Sequence, residues 1–382
     1  MFVQVNLRST NNARESMPLT QNKIVPYLLS RKFMTRESVV AGDVVVYDTS
    51  RRNSNFKVIS EQGPCYLLKQ GASSDAIATV EYEASVYRFL LSTPGSNELV
   101  HYLPHFYGYD LEERILILEL LRDAQNMREY HVRLGRFPAF LARRMGHALG
   151  TLHRSTYVER EKLDDIHEFP GQPPWVLSIH RPNLGILRKI SSANIQLIRI
   201  VQQFTEFPAL LDELRHAWKT ETLIHSDIKW DNWIVFRQPS MQHKVELKLV
   251  DWESACVGDP CWDVGSVFND YLSFWLFSIP ITVDTPPERF IELARFPLEK
   301  MQPAIRSFWQ SYVQRMELNT PTSHEWLMRA VRYGAARLIQ TAFEQMQMSM
   351  SLTGNIVCLL QLSLNIMHQT HEAIIYLLGI PL

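Results

Sequence analysis

Six polar side chains sit at spacings that could move a phosphoryl group. In "HSDIKWDN", the carboxylate of Asp227 is followed two residues later by Lys229 and five residues later by Asn232. Phosphoryl transfer asks little covalent chemistry of a protein. Phosphates must be held, a magnesium ion must be held, and a hydroxyl must be aimed in line. A carboxylate can accept the proton of that hydroxyl. An ammonium can meet the transferred phosphate as a point charge, and an amide oxygen can ligate magnesium. Nineteen residues after Asn232, Asp251 follows the apolar run "LKLV", where a carboxylate is suited to bridge magnesium ions. Upstream, Lys69 ends the strand-like "YLLK" and Glu83 lies fourteen residues later on a helical run. An ion pair of that kind holds the amine against the α and β phosphates.

His225 to Asn232 has the H-x-D-x-x-x-x-N spacing of a kinase catalytic loop, a pattern that alone occurs often by chance. The match becomes specific when "VDWE", "GDP" and Asp263 follow it and the Lys69/Glu83 pair precedes it. His225 reads as a structural hydrogen-bonder and Asp231 as a loop carboxylate near the metals. Glu81 competes with Glu83 for the ion pair. "ELL", Glu119 to Leu121, ends a strand, and the backbone at Glu119 and Leu121 could pair with an adenine edge.

The elements that must position these groups fall into two regions. Residues 1–22 read as a loose polar arm. From 23 to 121, the β-branched runs "GDVVVYD" and "FKVIS" and the further strand-like runs "CYLLKQG", "HFYGYD" and "RILILELL" predict a small, mostly antiparallel sheet. One helix, "ATVEYEASVYRFLLS", is expected there, with Val80, Ala84, Tyr87 and Leu90/Leu91 on one face. From 122 to 382 the pattern is mainly helical. The exceptions are "TLIHSD", "NWIVFR" and "ELKLVDWE", which suit strand–loop units. Phe268, Tyr271, Phe274, Trp275 and Phe277 read as core, with an ammonium cage as the sharper alternative. "EKLDDIHEF" reads as a solvated acidic face, or as a dock for a cationic substrate. After Arg337 only Glu344 and Glu372 carry charge. That tail reads as helices packed into the core, or as a surface for homo-oligomer formation.

Hydrophobic residues make up 46% of the 382, charged residues 21%, and the formal net charge is −1. Nothing in that balance draws the chain to nucleic acid or to a membrane surface. Four cysteines with no C-x-x-C do not make a disulfide scaffold. A reduced cytoplasmic setting is expected, since no apolar run has the length of a signal peptide or a membrane span.

The segments "SNFKV", "YLLKQ", "EYEASVYRFL", "ALGTLH", "HSDIKWDN" and "VDWESACVGDPCWDVG" resemble, in order, the aminoglycoside phosphotransferase and choline kinase family. The resemblance implies an α+β, two-lobed protein-kinase-like fold. A small antiparallel-sheet N-lobe would precede a large, mainly helical C-lobe, with ATP and Mg2+ in the cleft. It makes Asp227 the catalytic base, Asn232 and Asp251 the metal ligands, Lys69 the phosphate contact and Asp263 a brace beneath the catalytic loop. One departure is plain. The nucleotide-covering stretch "DTSRRNSNF" has no glycine. Ser54 and Asn55 would have to make its turn, and Arg51 and Arg52 could add charge against phosphate.

The fold does not choose the acceptor. "SRRNSNFKV" with "YLLKQG" is similar to the stand-alone kinases of class V lanthipeptide pathways. That likeness implies a peptide Ser or Thr as acceptor and a separate lyase as partner. A small-molecule kinase of the choline, amino-sugar or antibiotic-inactivating type is the alternative. A nucleotide-binding scaffold without turnover is a third reading.

Overall fold

The computed structural model describes residues 19–50, 53–157, 169–237, 245–281, 286 and 289–382. The chain begins with α1 (Gln21–Ser30), α2 (Arg36–Val40), β1 (Val44–Asp48), β2 (Ser54–Ser60), β3 (Tyr66–Gln70) and α3 (Ser74–Ser92). It continues through β4 (Phe106–Asp110), β5 (Ile115–Glu119), β6 (Gln125–Asn126), α4 (Met127–Leu134) and α5 (Ala139–Ser155). Then come α6 (Leu184–Leu187), α7 (Ser192–Gln203), α8 (Glu206–His216), β7 (Thr222–Ile224), β8 (Trp233–Arg237), β9 (Val245–Leu249) and β10 (Cys256–Gly258). The chain closes with α9 (Pro260–Phe277), α10 (Gln302–Met316), α11 (Thr320–Gln345) and α12 (Gly354–His368).

These elements form two compact units, one of residues 1–126 with 232–254 and one of residues 127–231 with 255–382. The sequence reading cut the chain at 121/122 and gave 232–254 to the second region. Strand pairing moves that segment. Gln125 and Asn126 of β6 pair with Val235 and Ile234 of β8, and β8 pairs with β9, so the hairpin belongs with the sheet-bearing unit.

The first unit holds a five-stranded antiparallel sheet in the order β1-β2-β3-β5-β4. Phe56, Val58, Tyr66, Leu68, Ile115 and Ile117 form the core of one face. Two helices precede the sheet where none was expected. Ile24 and Leu28 of α1 are buried in that same core. Leu19, in the predicted loose arm, is buried too, and its N–H donates to Gln70 Oε1 at 2.7 Å. A short apolar stretch gives little periodic signal, and contact with the sheet stabilises it. α3 starts where Ser73 accepts from Ala76 N and Asp75 meets the positive helix end. Val80, Ala84, Tyr87 and Leu90 are buried as expected, Leu91 is exposed, and Glu83 lies among the buried residues.

The second unit is mainly helical, with the two-stranded pair β7–β10. Pro260 opens α9, and Asp259 caps it by accepting from Cys261 N at 3.0 Å. α9 and α11 cross closely. A Cβ at Gly265 would lie 2.4 Å from Ala330 O, and one at Gly334 2.9 Å from Gly265 O, so only glycines permit this approach. Phe268, Tyr271, Phe274 and Trp275 are buried. Phe137, Trp230 and Phe296 surround Phe274, and Phe308 and Trp309 meet Phe268, so these four are core rather than a cage; Phe277, at the end of α9, is exposed and departs from the core reading. The charge-poor tail packs inward in part: α12 buries Ile356, Leu359, Leu360 and Leu364, and Ser363 donates to Ala335 O, while Met348, Met350, Val357, Ile375 and Tyr376 are exposed. Among the described residues, no helix is long and apolar enough to cross a membrane.

Candidate active site

In the first unit, β3 and α3 bring Lys69 and Glu83 together. Lys69 Nζ lies 3.0 and 2.9 Å from the two Glu83 oxygens and 3.0 Å from Asp251 Oδ1. Glu81, the competitor, is exposed. Burial works against the Lys69 ammonium, but Glu83 and Asp251 outweigh it and its pKa is raised. Burial pushes the Glu83 carboxyl up to about 7 against the pull of Lys69. Asp251 stands in the left-handed region, at φ 71°, an uncommon conformation for a residue with a side chain. Val250 N donates to Asn232 O at 3.0 Å, extending the β8–β9 pairing and setting Asn232 and Asp251 at the same end of the hairpin.

That donor set, one carboxylate and one amide oxygen, suits magnesium. Mg2+ is held by one or two protein oxygens, with water and phosphate completing its shell. Among the described residues no cluster of three or more His, Cys, Asp or Glu offers a dedicated metal cage.

The glycine-free turn closes through side chains. Ser50 N donates to Asp48 Oδ1, Asn55 N to Ser50 Oγ, and Thr49 N to Asn55 O. The expected side-chain turn is present, but the hydroxyl that makes it is Ser50. The amides of Thr49, Ser50 and Asn55 are spent inside it rather than facing outward. Ser54 opens β2 opposite Gln70. Arg51 and Arg52 lie outside the described residues, as do 161–168 of the acidic segment. At the end of β5 the Glu119 carboxylate is held by Lys248 Nζ and His105 N, each at 2.9 Å. The Glu119 and Leu120 amides donate to His105 O and Cys65 O. Among the described residues, no backbone hydrogen bond of Leu121 is seen.

In the second unit, Asp263 on α9 organises the catalytic-type loop. Its Oδ2 accepts from His225 N at 2.7 Å and its Oδ1 from Ser226 N at 2.9 Å. Trp262 Nε1 donates to Ser226 O, and Ser226 is left-handed at φ 67°. Behind Asp263, His153 Nε2 lies 3.3 Å from Oδ2, and its Nδ1 lies 2.9 Å from the Tyr312 hydroxyl. His225 is fully buried. This brace presents Asp227, whose Oδ2 accepts from Lys229 Nζ at 2.5 Å and whose Oδ1 accepts from Arg337 Nη2 at 3.0 Å. Burial alone would raise the Asp227 carboxyl, but Arg337 and then Lys229 outweigh it and hold it below the usual carboxylate range. Asp231 is taken up by Arg128 at 3.2 Å.

Sequence reasoning missed Arg337, Glu344 and Asp270. Arg337 on α11 is 2% exposed and bridges Asp227 and Glu344. Its signal was an arginine within the apolar helical run "YGAARLI", where a solvated residue is out of place. Asp270 is buried on α9, and burial pushes its carboxyl up to about 7 against Arg128 and Arg337.

No curated protein sequence matches the chain. Among solved structures it is similar to choline kinase LicA from Streptococcus pneumoniae, at 15% identity over 89% of this chain and 99% of that one, TM-score 0.43. It is similar to macrolide 2'-phosphotransferase MphH from Brachybacterium faecium, at 15% identity over 90% and 98%, TM-score 0.45. It is also similar to aminoglycoside 2'-phosphotransferase-IIIa, at 12% identity over 91% and 99%, TM-score 0.49. A family model described as the phosphotransferase enzyme family matches residues 44–282, more than half of the sequence and a span that takes in Lys69, Glu83, Asp227, Asn232, Asp251 and Asp263. The chain belongs to the phosphotransferase enzyme family, and it is a kinase.

Proposed function

We propose that this phosphotransferase moves the γ-phosphoryl group of ATP to the hydroxyl of a Ser or Thr in a peptide of the lanthipeptide-precursor type. Lys69, steadied by Glu83, holds the phosphates. Asn232 and Asp251 hold magnesium, which when bound neutralises charge on the phosphate oxygens. The backbone beside Leu121 meets the base. Asp227 aims the acceptor hydroxyl and takes its proton. The acceptor O–P bond forms, the bond from the γ-phosphorus to the ADP oxygen breaks, and the proton leaves on the Asp227 carboxylate. Lys229 accompanies the transferred group.

One observation carries the choice of acceptor. The carboxylate that aims the hydroxyl has a cation on each oxygen, Lys229 on one and Arg337 on the other. That field favours a neutral hydroxyl and a developing phosphate, and it disfavours a polycationic or quaternary-ammonium acceptor. Of the aromatic residues that could have caged an ammonium, Phe268, Tyr271, Phe274 and Trp275 are buried in the core. A partner lyase would then eliminate the phosphate. A cytoplasmic setting suits four cysteines that are all free thiols.

The test incubates the purified protein with Mg-ATP, peptides encoded beside its gene, and a panel of choline, amino sugars and other small alcohols. A peptide that gains roughly 80 Da, the mass of one phosphoryl group, with wild type but not with Asp227→Ala is the expected result. A phosphorylated small molecule, with peptides untouched, would overturn the peptide reading.

A further inference from the structure

Arg337 is an unusual residue to find inside a helical interior. Burying a guanidinium costs several kcal/mol unless its charge and donors are matched. Its terminal nitrogens go to two different carboxylates, Nη2 to Asp227 Oδ1 and Nη1 to Glu344 Oε1, each at 3.0 Å. Glu344, two turns along α11, is itself held by Gln340 Nε2 at 2.8 Å. The arginine is therefore tethered on its own helix and reaches Asp227 from a fixed base. The α9–α11 crossing sets that base: the Gly265–Gly334 approach lies one turn before Arg337, and Thr341 Oγ1 binds Asn269 Oδ1 at 3.0 Å one turn after it.

The two cations on Asp227 are not equivalent. Lys229 is 34% exposed and sits on a long flexible stem, whereas Arg337 is 2% exposed. An entering acceptor can displace the first and not the second. We propose that Arg337 is a positioning residue for phosphoryl transfer, pinning Asp227 through Oδ1 while Lys229 yields Oδ2 to the acceptor hydroxyl. This inference rests on the reading of Asp227 as the residue that aims the acceptor. The charged groups around Asp227 are Lys229, His225 and Asp231 on its own segment, Arg128 on α4, Asp263 and Asp270 on α9, and Arg337 and Glu344 on α11. Of these, Arg337 on α11 bonds Asp227 Oδ1 directly. Held this way, Asp227 is a weak base. It orients the hydroxyl and takes the proton late, as a loose transition state requires.

The experiment measures Mg-ATP turnover, as phosphate release to water and to any acceptor found above, for wild type, Asp227→Ala, Arg337→Lys and Arg337→Gln. Each variant is first checked by thermal melting. Arg337→Gln should lose about 10²-fold in kcat, the scale of a misplaced reacting group, with KM for Mg-ATP nearly unchanged. Its acid limb in kcat against pH should move up, because Asp227 has lost its strongest stabilising charge. Arg337→Lys keeps the charge but lacks the planar fork whose separate nitrogens meet Asp227 and Glu344, so it should recover part of kcat. Where Arg337→Gln does not fold, Arg337→Lys carries the split between kcat and KM. Where turnover is too slow to follow, the carbon-13 carboxyl signal of Asp227, identified by its loss in Asp227→Asn, should titrate higher in the Arg337 variant. Folded Arg337 variants with wild-type kcat and pH profile, or an unmoved Asp227 titration, would overturn the proposal. Retained turnover in Asp227→Ala would instead overturn the underlying reading of the loop.

Discussion

Replacing Asp263 by asparagine keeps the shape of the side chain and removes its charge. In the native loop its two oxygens accept from His225 N and Ser226 N, at 2.7 and 2.9 Å, in a site with no exposed surface. Asparagine retains one acceptor and turns an NH2 group toward the other backbone N–H. One hydrogen bond to a charged group, worth about 1.5–3 kcal/mol, is lost, and a buried donor is left without a partner. The Ser226 conformation makes the loop geometry depend on that brace. A left-handed residue with a side chain costs roughly 1–2 kcal/mol and persists only while its surroundings enforce it. Asp263→Asn should therefore cost about 2–4 kcal/mol, which for a unit of this size lowers the melting temperature by roughly 5–15 °C. Because Asp227 is the next residue, kcat should also fall by about 10²-fold, with KM for ATP much less affected. Melting followed by circular dichroism and initial rates of Mg-ATP turnover read both effects. If the variant melts with wild type and turns over at the wild-type rate, Asp263 is not the brace argued here.

Two further outcomes are expected. Lys69→Met should lower kcat by about 10²–10³-fold, as loss of one preorganised charge at a transferring phosphate does, and it should strand Glu83. With its pKa raised further above the unfolded value, Glu83 makes the variant less stable, relative to wild type, at pH 8 than at pH 6, which paired melts will read. Burial depresses the His131 imidazole to about 4, against a weaker pull from the Arg136 carbonyl. The unfolded chain then binds a proton that the folded one refuses, so stability falls as pH drops from 6.5 through 4, by about 2 kcal/mol at pH 5. His131→Gln should flatten that slope in urea titrations at pH 7 and 5, and equal slopes would refute the assignment.

The sheet and the site were legible in the sequence to different depths. Short apolar and aromatic runs located β1 to β5 because strand patterning is local. Lys69, Glu83, Asp227, Asn232 and Asp251 were readable because each phosphate-handling task selects a residue type at a fixed distance along a strand or loop. The structure brings Lys69, Glu83 and Asp251 into direct contact. α1 was not legible, since Leu19, Ile24 and Leu28 become core only against a sheet formed later in the chain, and the five-residue α2 buries no side chain that could mark it. Arg337 was not assigned because its partner lies 110 residues away, and a helical arginine carries no local mark of where it points. The closing of the turn by Ser50 rather than Ser54 or Asn55 was also out of reach. Several hydroxyl and amide side chains crowd that stretch, and backbone direction selects among them.

The glycine crossing of α9 and α11 has a consequence for how substitutions in this protein should be mapped. A single methyl group at Gly265 or Gly334 touches no phosphate, metal or acceptor, yet it must wedge two helices apart. The displacement would travel along α11 to Arg337 and from there to the Asp227 carboxylate. Such a variant could keep its secondary structure and much of its stability while failing in turnover. A screen that ranks positions by distance from the reacting hydroxyl would file it among the harmless ones. In this chain the spacing between two helix axes is itself a kinetic parameter.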